Sequence, residues 1–426
     1  MVSTSPNPSL QRRGEKCQFM ITVRQAQRLI AQNIPPLRKE RSSLAESLGC
    51  ILAEEIRAPF DLPLFDNSAM DGFALRSIDT RFASPKMPIL LEIKGVAKAG
   101  DNCGRPLGTK ETYRIMTGAL IPKGADTILP KEDAVVKVGA RHAVPLLIIN
   151  HPIKKGRHIR RKGEELLKGK IVLRKGVLIQ PGTVGFLASL GKDKITVYRR
   201  PRVTLITTGN ELVEPGEILR EGEIYNSNRW MISAALRQMG IHHFFVDSVR
   251  DQMALLKEKT RQALKRSDLL ILTGGVSVGD YDYTKVILER LGVRTIFWKV
   301  SQKPGKPIYF GKKGTTLIFG LPGNPASVFV CFYEYVFPAL RAMMGFKNPY
   351  LAIEALPLGV TVKADREKLL FLKGKIASTR KGKIVFPLGH QGSHMTSSLS
   401  DSDGLILIPP QKRIIRRGEK VEVHLL

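Results

Sequence analysis

Between residues 195 and 346, short apolar runs alternate with amphipathic stretches, and few folds accept that rhythm. Arg202–Thr207, His243–Val249, Asp268–Leu272, Arg294–Val300 and Thr315–Phe319 read as strands, and Arg229–Gly240, Met253–Lys265, Tyr283–Leu291 and Ala326–Met344 as helices. In the second helix Met253, Leu256, Thr260, Ala263 and Leu264 share one face. Asp268–Leu272 is almost wholly apolar, as in a strand buried on both sides. This order predicts a three-layer α/β domain around a mostly parallel sheet.

The flanking sequence keeps a different pattern. Residues 1–18 are polar and read as a disordered extension, with Met20 a second candidate start. Residues 19–57 and 159–194 read as a linker or helical domain, with helices at Val23–Asn33, Leu44–Ile56 and Pro181–Leu190. Residues 58–158 form a β-rich insert, where Pro, Gly and Asp punctuate runs at Ile89–Ile93, Thr112–Met116, Thr127–Pro130 and Pro145–Ile149. Residues 347–426 return to short strands and Gly/Pro turns without a helix, a small all-β unit. The fold class is therefore α/β plus β, and multidomain.

Composition removes several classes. With 43% hydrophobic and 25% charged residues the chain is globular, and no run of about 18 apolar residues marks a membrane span. No secretory signal is expected from Met1–Lys16. Cys17, Cys50, Cys103 and Cys331 are far apart, which suits a reducing, cytoplasmic setting and neither a zinc site nor a disulfide framework. Lys and Arg number 68 against 38 Asp and Glu, a formal net charge of +30. That excess attracts anions, although its clusters at Lys154–Lys162, Arg199–Arg202 and Lys412–Arg417 also read as solvated faces. Aromatics at 7% offer no stacking platform for nucleic acid.

Chemistry is expected beyond the strand C-termini of the parallel sheet. Three loops fall there: Thr207–Glu211, Thr273–Asp280 and Gly320–Ser327, the last opening a helix. Their glycines allow backbone N–H groups to approach an anion, while the competing reading is tight turns. Neither the P-loop nor the G-x-G-x-x-G spacing is present. Lys299, Lys303 and Lys306 crowd a segment stiffened by Pro304 and Pro307, either a phosphate site or a basic hairpin. Glu211, Asp251 and Asp282 offer hard oxygens suited to Mg²⁺, but Asp251 and Asp282 could equally cap helices. Lys312 reads as an exposed turn, and His390 and His394 as loop residues.

Several motifs together resemble one family. FDNSAMDGFA (65–74), RIMTGA (114–119), IRRKGE (159–164), TTGNEL (207–212), IYNSNR (224–229), LTGGVSVGDYDYTK (272–285), FWKVSQKPGKP (297–307), GLPGNPAS (320–327) and GHQGSH (389–394) are similar to the molybdopterin molybdenumtransferases, the MoeA-like enzymes that also form the C-terminal domain of gephyrin. The resemblance implies a linker region, a β-rich domain, a molybdopterin-binding α/β domain at 195–346 and a C-terminal β-barrel at 347–426. It implies Mg²⁺-dependent insertion of molybdate into adenylylated molybdopterin with release of AMP, by a homodimer whose sites are shared. Molybdopterin adenylyltransferase and molybdoenzyme apoproteins are the partners implied, without nucleic acid or membrane. By the same resemblance Asp71, Thr117, Glu211, Asp251, Asp282, Lys299, Lys303, Lys373 and Ser393 are catalytic. Thr208, Gly209, Gly274, Gly275, Ser277, Gly279, Lys306, Pro322, Gly323 and Asn324 bind the cofactor. The metal falls to Glu211, Asp251 and Asp282. Asn210 stands where many members carry Asp, and Lys373 where they often carry Arg. A non-catalytic scaffold of the same fold is the alternative reading.

Overall fold

The computed structural model describes residues 20–36, 38–102, 105–138, 144–275, 283–380, 382–411 and 413–426. The chain divides into two compact units. One holds Glu54–Lys175 and Gly185–Asp193, and the other holds the described residues up to Ala53 with Gly176–Val184 and Lys194–Leu426.

In the first unit the expected strands pair into a six-stranded sheet. Its spatial order is Thr127–Pro130, Gly72–Leu75, Glu111–Ile115, Ile89–Ala97, Leu146–Ile149 and Val135–Lys137. Phe73 sits between Arg114 and Leu129 in register. Leu75, Leu91, Leu129 and Leu147 form one small core, and Ala74, Ile115 and Ile128 another.

The second unit carries the α/β sheet. Its strands lie in the order Phe244–Val249, Val203–Thr208, Leu269–Thr273, Thr316–Leu321, Tyr309–Lys313 and Arg294–Trp298. The first four are mutually parallel and the last two antiparallel. Every residue of Val203–Thr208 and Leu269–Thr273 is buried, as their apolar sequence requires. Side chains alternate between two cores. Leu205 and Ile271 join Ile232 and Leu236 of helix Ser227–Gln238, while Ile206 and Leu270 join Leu256 of helix Met253–Arg266 and Ile287 of helix Tyr283–Arg290. Each such side chain contributes about 1.5–3 kcal/mol.

Helix Val23–Asn33 forms as expected, started by a capping box between Thr22 and Gln25. The helix expected at Leu44–Ile56 does not form. Lys39–Ser43 pairs antiparallel with Lys194–Tyr198, and the amides of Leu52 and Ala53 donate to the carbonyls of Val177 and Thr196. Partners distant in sequence satisfy this backbone, so local propensity does not decide it.

The expected long helix runs from Pro325 to Met343 with one π-helical turn, Phe332–Val336, between two α-helical parts. Pro338 has no amide to give to the Glu334 carbonyl, and the ladder widens just before it. Gln27 Nε2 reaches that carbonyl at 3.5 Å. By length and composition this helix could cross a membrane, but 78% of its apolar window is buried in the protein, as in a core helix.

The C-terminal strands pair in the order Gln302–Lys303, Leu369–Thr379, Gly404–Ile408, Lys420–Leu425 and Ile353–Pro357, with Gly382–Pro387 also on Leu369–Thr379. One helical turn, Ser397–Ser400, departs from the expected all-β pattern. Gln302–Lys303 pairs parallel with Leu369–Leu370, so this sheet fixes the lysine segment beside Lys368.

Candidate active site

The four parallel strands end at one edge, and the loops that follow them are packed closely. Gly274 has φ +85°, and a Cβ there would lie 2.4 Å from the Thr208 carbonyl oxygen. Only glycine lets these two turns touch. Gly323 adjoins Gly274 on the other side, and Asn228 Nδ2 donates to the Gly323 carbonyl at 2.6 Å. The Thr208 and Thr284 hydroxyls are buried here without a hydrogen-bond partner among the described residues. An unsatisfied hydroxyl costs about 1–3 kcal/mol, so such groups mark where a ligand's polar atoms are needed.

Lys303, Lys306 and Lys368 line a cavity of about 680 Å³ together with Pro322, Asn324 and Ser393. No Asp or Glu among the described residues lines it. Among the described residues none of the three lysines forms an ion pair; Asp365 senses the charges of Lys368 and Lys303 only through space, and its carboxyl is held low first by the amides of Glu367 and Lys368. The Ala326 amide donates to the Ser393 carbonyl at 3.0 Å, and Asn324 Nδ2 donates to the Ser393 hydroxyl at 3.1 Å. Ser393 is thereby tied to the start of the long helix.

The remaining sequence candidates separate. Lys299, at φ +75°, does not line the cavity; its Nζ lies 4.1 Å from the centre of the Trp298 ring, which also receives Lys285 Nζ at 4.8 Å. Lys373 is 3% exposed and its Nζ has no acceptor, while burial alone pushes its pKa down. It too lies off the cavity lining, but Gln391, which lines the cavity, accepts from the Lys373 amide at 3.0 Å and donates to the Lys373 carbonyl at 2.8 Å. Lys312 is no free surface charge, since its Nζ donates to the Asn33 carbonyl at 2.9 Å. Part of the Arg199–Arg202 cluster is structural as well. Arg38, Arg199 and Arg202 converge on Asp268, whose carboxyl sits low because the Arg202 amide and these guanidiniums outweigh its burial.

Glu211 folds over Gly209, where an added Cβ would meet both carboxylate oxygens at 2.8 Å. The Asp251 amide donates to Asn210 Oδ1 at 3.1 Å, and Gln252, not Asp251, is the N-cap of the next helix. Glu211 and Asp251 thus follow adjacent parallel strands. Among the described residues no three acidic, His or Cys side chains gather as a metal site. Asp282, Ser277 and Gly279 lie outside the described residues.

In the other unit, Thr117 donates both its amide and its hydroxyl to Asp71 Oδ1 at 2.8 Å, and Lys131 approaches Oδ2 at 3.7 Å. The Thr117 amide, then its hydroxyl, holds the Asp71 carboxyl below its usual range. The sequence reading missed Lys368, Thr284, Asn228 and Gln391. The last three lie inside quoted motifs, which was their one signal, and Lys368 has none.

Uncompensated lysines beside Gly-rich loops at the C-terminal edge of a parallel sheet define an anion-binding α/β protein. Comparison with known proteins narrows the class. "MoeA N-terminal region (domain I and II)" matches residues 21–191, "probable molybdopterin binding domain" residues 204–342, and "MoeA C-terminal region (domain IV)" residues 355–426. Proteins named molybdopterin molybdenumtransferase from Haemophilus influenzae and Staphylococcus epidermidis are each 34% identical, over 411 and 405 residues. The alignments span 95% of this chain and 98% and 95% of theirs. Two crystal structures of molybdopterin biosynthesis MoeA protein from Pyrococcus horikoshii match with TM-scores of 0.79 and 0.74, at 29% and 30% identity. They cover 95% and 96% of this chain and 99% and 100% of their own. The chain belongs to the molybdopterin molybdenumtransferase family.

Proposed function

We propose that this protein transfers molybdenum from molybdate to adenylylated molybdopterin in molybdenum cofactor biosynthesis, releasing AMP. The observation that carries the reading is the 680 Å³ cavity, lined among the described residues by three lysines and no carboxylate. Two anions must meet for this reaction, and ammonium groups with backbone donors offset their repulsion in a cleft of lowered dielectric. Lys303, Lys306 and Lys368 would hold the oxyanion, with Ser393 and Asn324 at its edge. The turns at Thr208, Gly274 and Gly323 would take the pterin phosphate, where the Thr208 and Thr284 hydroxyls await acceptors or donors. Lys373 would add charge from beneath. Cys331 is no thiolate nucleophile: burial pushes its thiol far above its usual range.

Mg²⁺ would fall to Glu211 and Asp251, with Asp282 completing the set; when bound it would neutralise charge on the phosphoanhydride. In this reading the α/β sheet is the middle of three layers, the C-terminal strands curl as a small barrel, and the domain bounds are those read from the sequence. The protein works in the cytoplasm as a homodimer in which Asp71 and Thr117 complete the partner's cleft.

The test is incubation with adenylylated molybdopterin, Mg²⁺ and molybdate, with AMP measured. Release that requires molybdate supports the reading, and release at full rate in chelator removes the metal. Mixing Asp71→Asn with Lys303→Ala subunits restores partial activity if sites are shared. Exchange of subunits without recovery ends that idea.

A further inference from the structure

Beneath the lysine segment lies a polar network to which the proposed reaction gives no role. Gln302 is completely buried. Its Oε1 accepts from the Tyr335 hydroxyl, which fixes the orientation of the amide. Its Nε2 donates to the Pro304 carbonyl at 3.0 Å and lies 3.7 Å from Cys331 Sγ. The Cys331 thiol in turn donates to the Gly305 carbonyl at 3.6 Å. Gly305 has φ +84°, and a Cβ there would stand 2.5 Å from Cys331 Sγ and 2.8 Å from Gln302 Nε2. The loop is therefore pressed onto these two side chains. The next carbonyl, of Lys306, is held by the Val300 and Ile308 amides, both at 3.0 Å.

Three consecutive carbonyls, from Pro304 to Lys306, thus point into the protein. The amides of Gly305 and Lys306 have no acceptor among the described residues. The side of the loop facing the cavity is left with N–H groups and the two ammonium groups, Lys303 and Lys306. Carbonyl oxygens turned outward would repel an oxyanion at the distance where those donors attract it.

We infer that Gln302, set by Tyr335 and assisted by Cys331, is a positioning residue that turns the Pro304–Gly305 carbonyls away from the cavity and so makes the lysine loop an oxyanion cradle. The inference rests on reading this cavity as the oxyanion site. Burial keeps the Cys331 thiol and the Tyr335 hydroxyl protonated, so both remain donors through the working pH range.

Gln302→Met keeps the length of the side chain and removes its hydrogen bonds to Tyr335, Pro304 and Cys331. The expected result is a KM for molybdate raised about ten-fold, roughly the worth of one lost hydrogen bond. The KM for adenylylated molybdopterin and kcat should stay within about two-fold. Tyr335→Phe, which keeps the packing and removes one hydroxyl, should move the molybdate KM in the same direction by less. A general loss of structure would instead lower the active fraction and alter both KM values together, and that pattern overturns the inference. An unchanged molybdate KM in Gln302→Met overturns it too. Hydrogen exchange at the Val300 and Ile308 amides needs no substrate and separates this inference from the function. If wild-type protein releases no AMP, the function fails, and the cradle still stands or falls on whether those two amides exchange faster in Gln302→Met than in wild type.

Discussion

Among the cavities of the larger unit, two of similar size differ in their charges. The one at Lys303 measures about 680 Å³ and the one between Thr22 and His424 about 590 Å³. The second also carries cations: Arg24, Arg413 and Lys420. But Glu367, Glu419 and Glu422 stand in the same wall. Arg413 pairs with Glu419 at 2.8 Å, and His424 bonds Glu422 at 2.9 Å and the buried Glu334 at 2.7 Å. There the protein supplies its own counter-charges. At Lys303 it leaves them to a ligand. Between these two hollows volume says little, and the balance of charge in the wall says more.

The largest expected effect tests that contrast directly. Lys303→Ala should slow AMP release about 10- to 100-fold, the worth of a charge-assisted hydrogen bond in a partly closed cleft. Thermal stability should hardly change. The control is Lys257→Ala, on the exposed face of helix Met253–Arg266, which should leave the rate alone. Equal behaviour of the two variants would erase the distinction between cleft lysine and surface lysine.

A smaller effect concerns Lys373. Because burial lowers its pKa, its charge is lost at a lower pH than an exposed lysine would lose it. Lys373→Arg should therefore carry the alkaline limb of molybdate affinity to higher pH, read from binding titrations across that limb. An unmoved limb would show that Lys373 does not act on the anion.

The smallest effect on turnover is expected in the other cavity. His424→Gln should leave AMP release within about two-fold, since no step uses it. It should lower the melting temperature instead. Desolvation would lower the His424 pKa, but the hydrogen bonds and charges of Glu334 and Glu422 together outweigh it, and the net value is raised above 6.5. Such a group stabilises the fold fully below its unfolded value, near 6.5, and the contribution fades as pH rises through the higher folded value. The melting difference between wild type and His424→Gln should shrink over that window. A difference that grows with pH would reverse the assignment.

How far the sequence revealed these features depended on range. The helix Val23–Asn33 and the strands at Val203 and Leu269 were legible because their determinants are neighbours in the chain. Lys303 and Lys306 were legible for the same reason. Lys368 was not, because the pairing of Gln302–Lys303 with Leu369–Leu370 brings it in from about 65 residues away. The same limit explains Leu44–Ile56, whose backbone partners lie at 177 and 196. Lys299 was misplaced for a subtler reason. Proximity in sequence grouped it with Lys303, but its left-handed backbone and the Trp298 ring turn it elsewhere.

The π-helical turn at Phe332–Val336 joins the two halves of the comparison. Glu334 reaches His424 in one cavity, while its neighbour Tyr335 reaches Gln302 beneath the other. The wider turn carries one more residue than an α-helical turn. Deleting a residue there would rotate everything after it by about 100° and separate at least one of the two from its mate. In evolutionary terms the turn is a constraint on length: a gap here would disturb at least one of the two cavities.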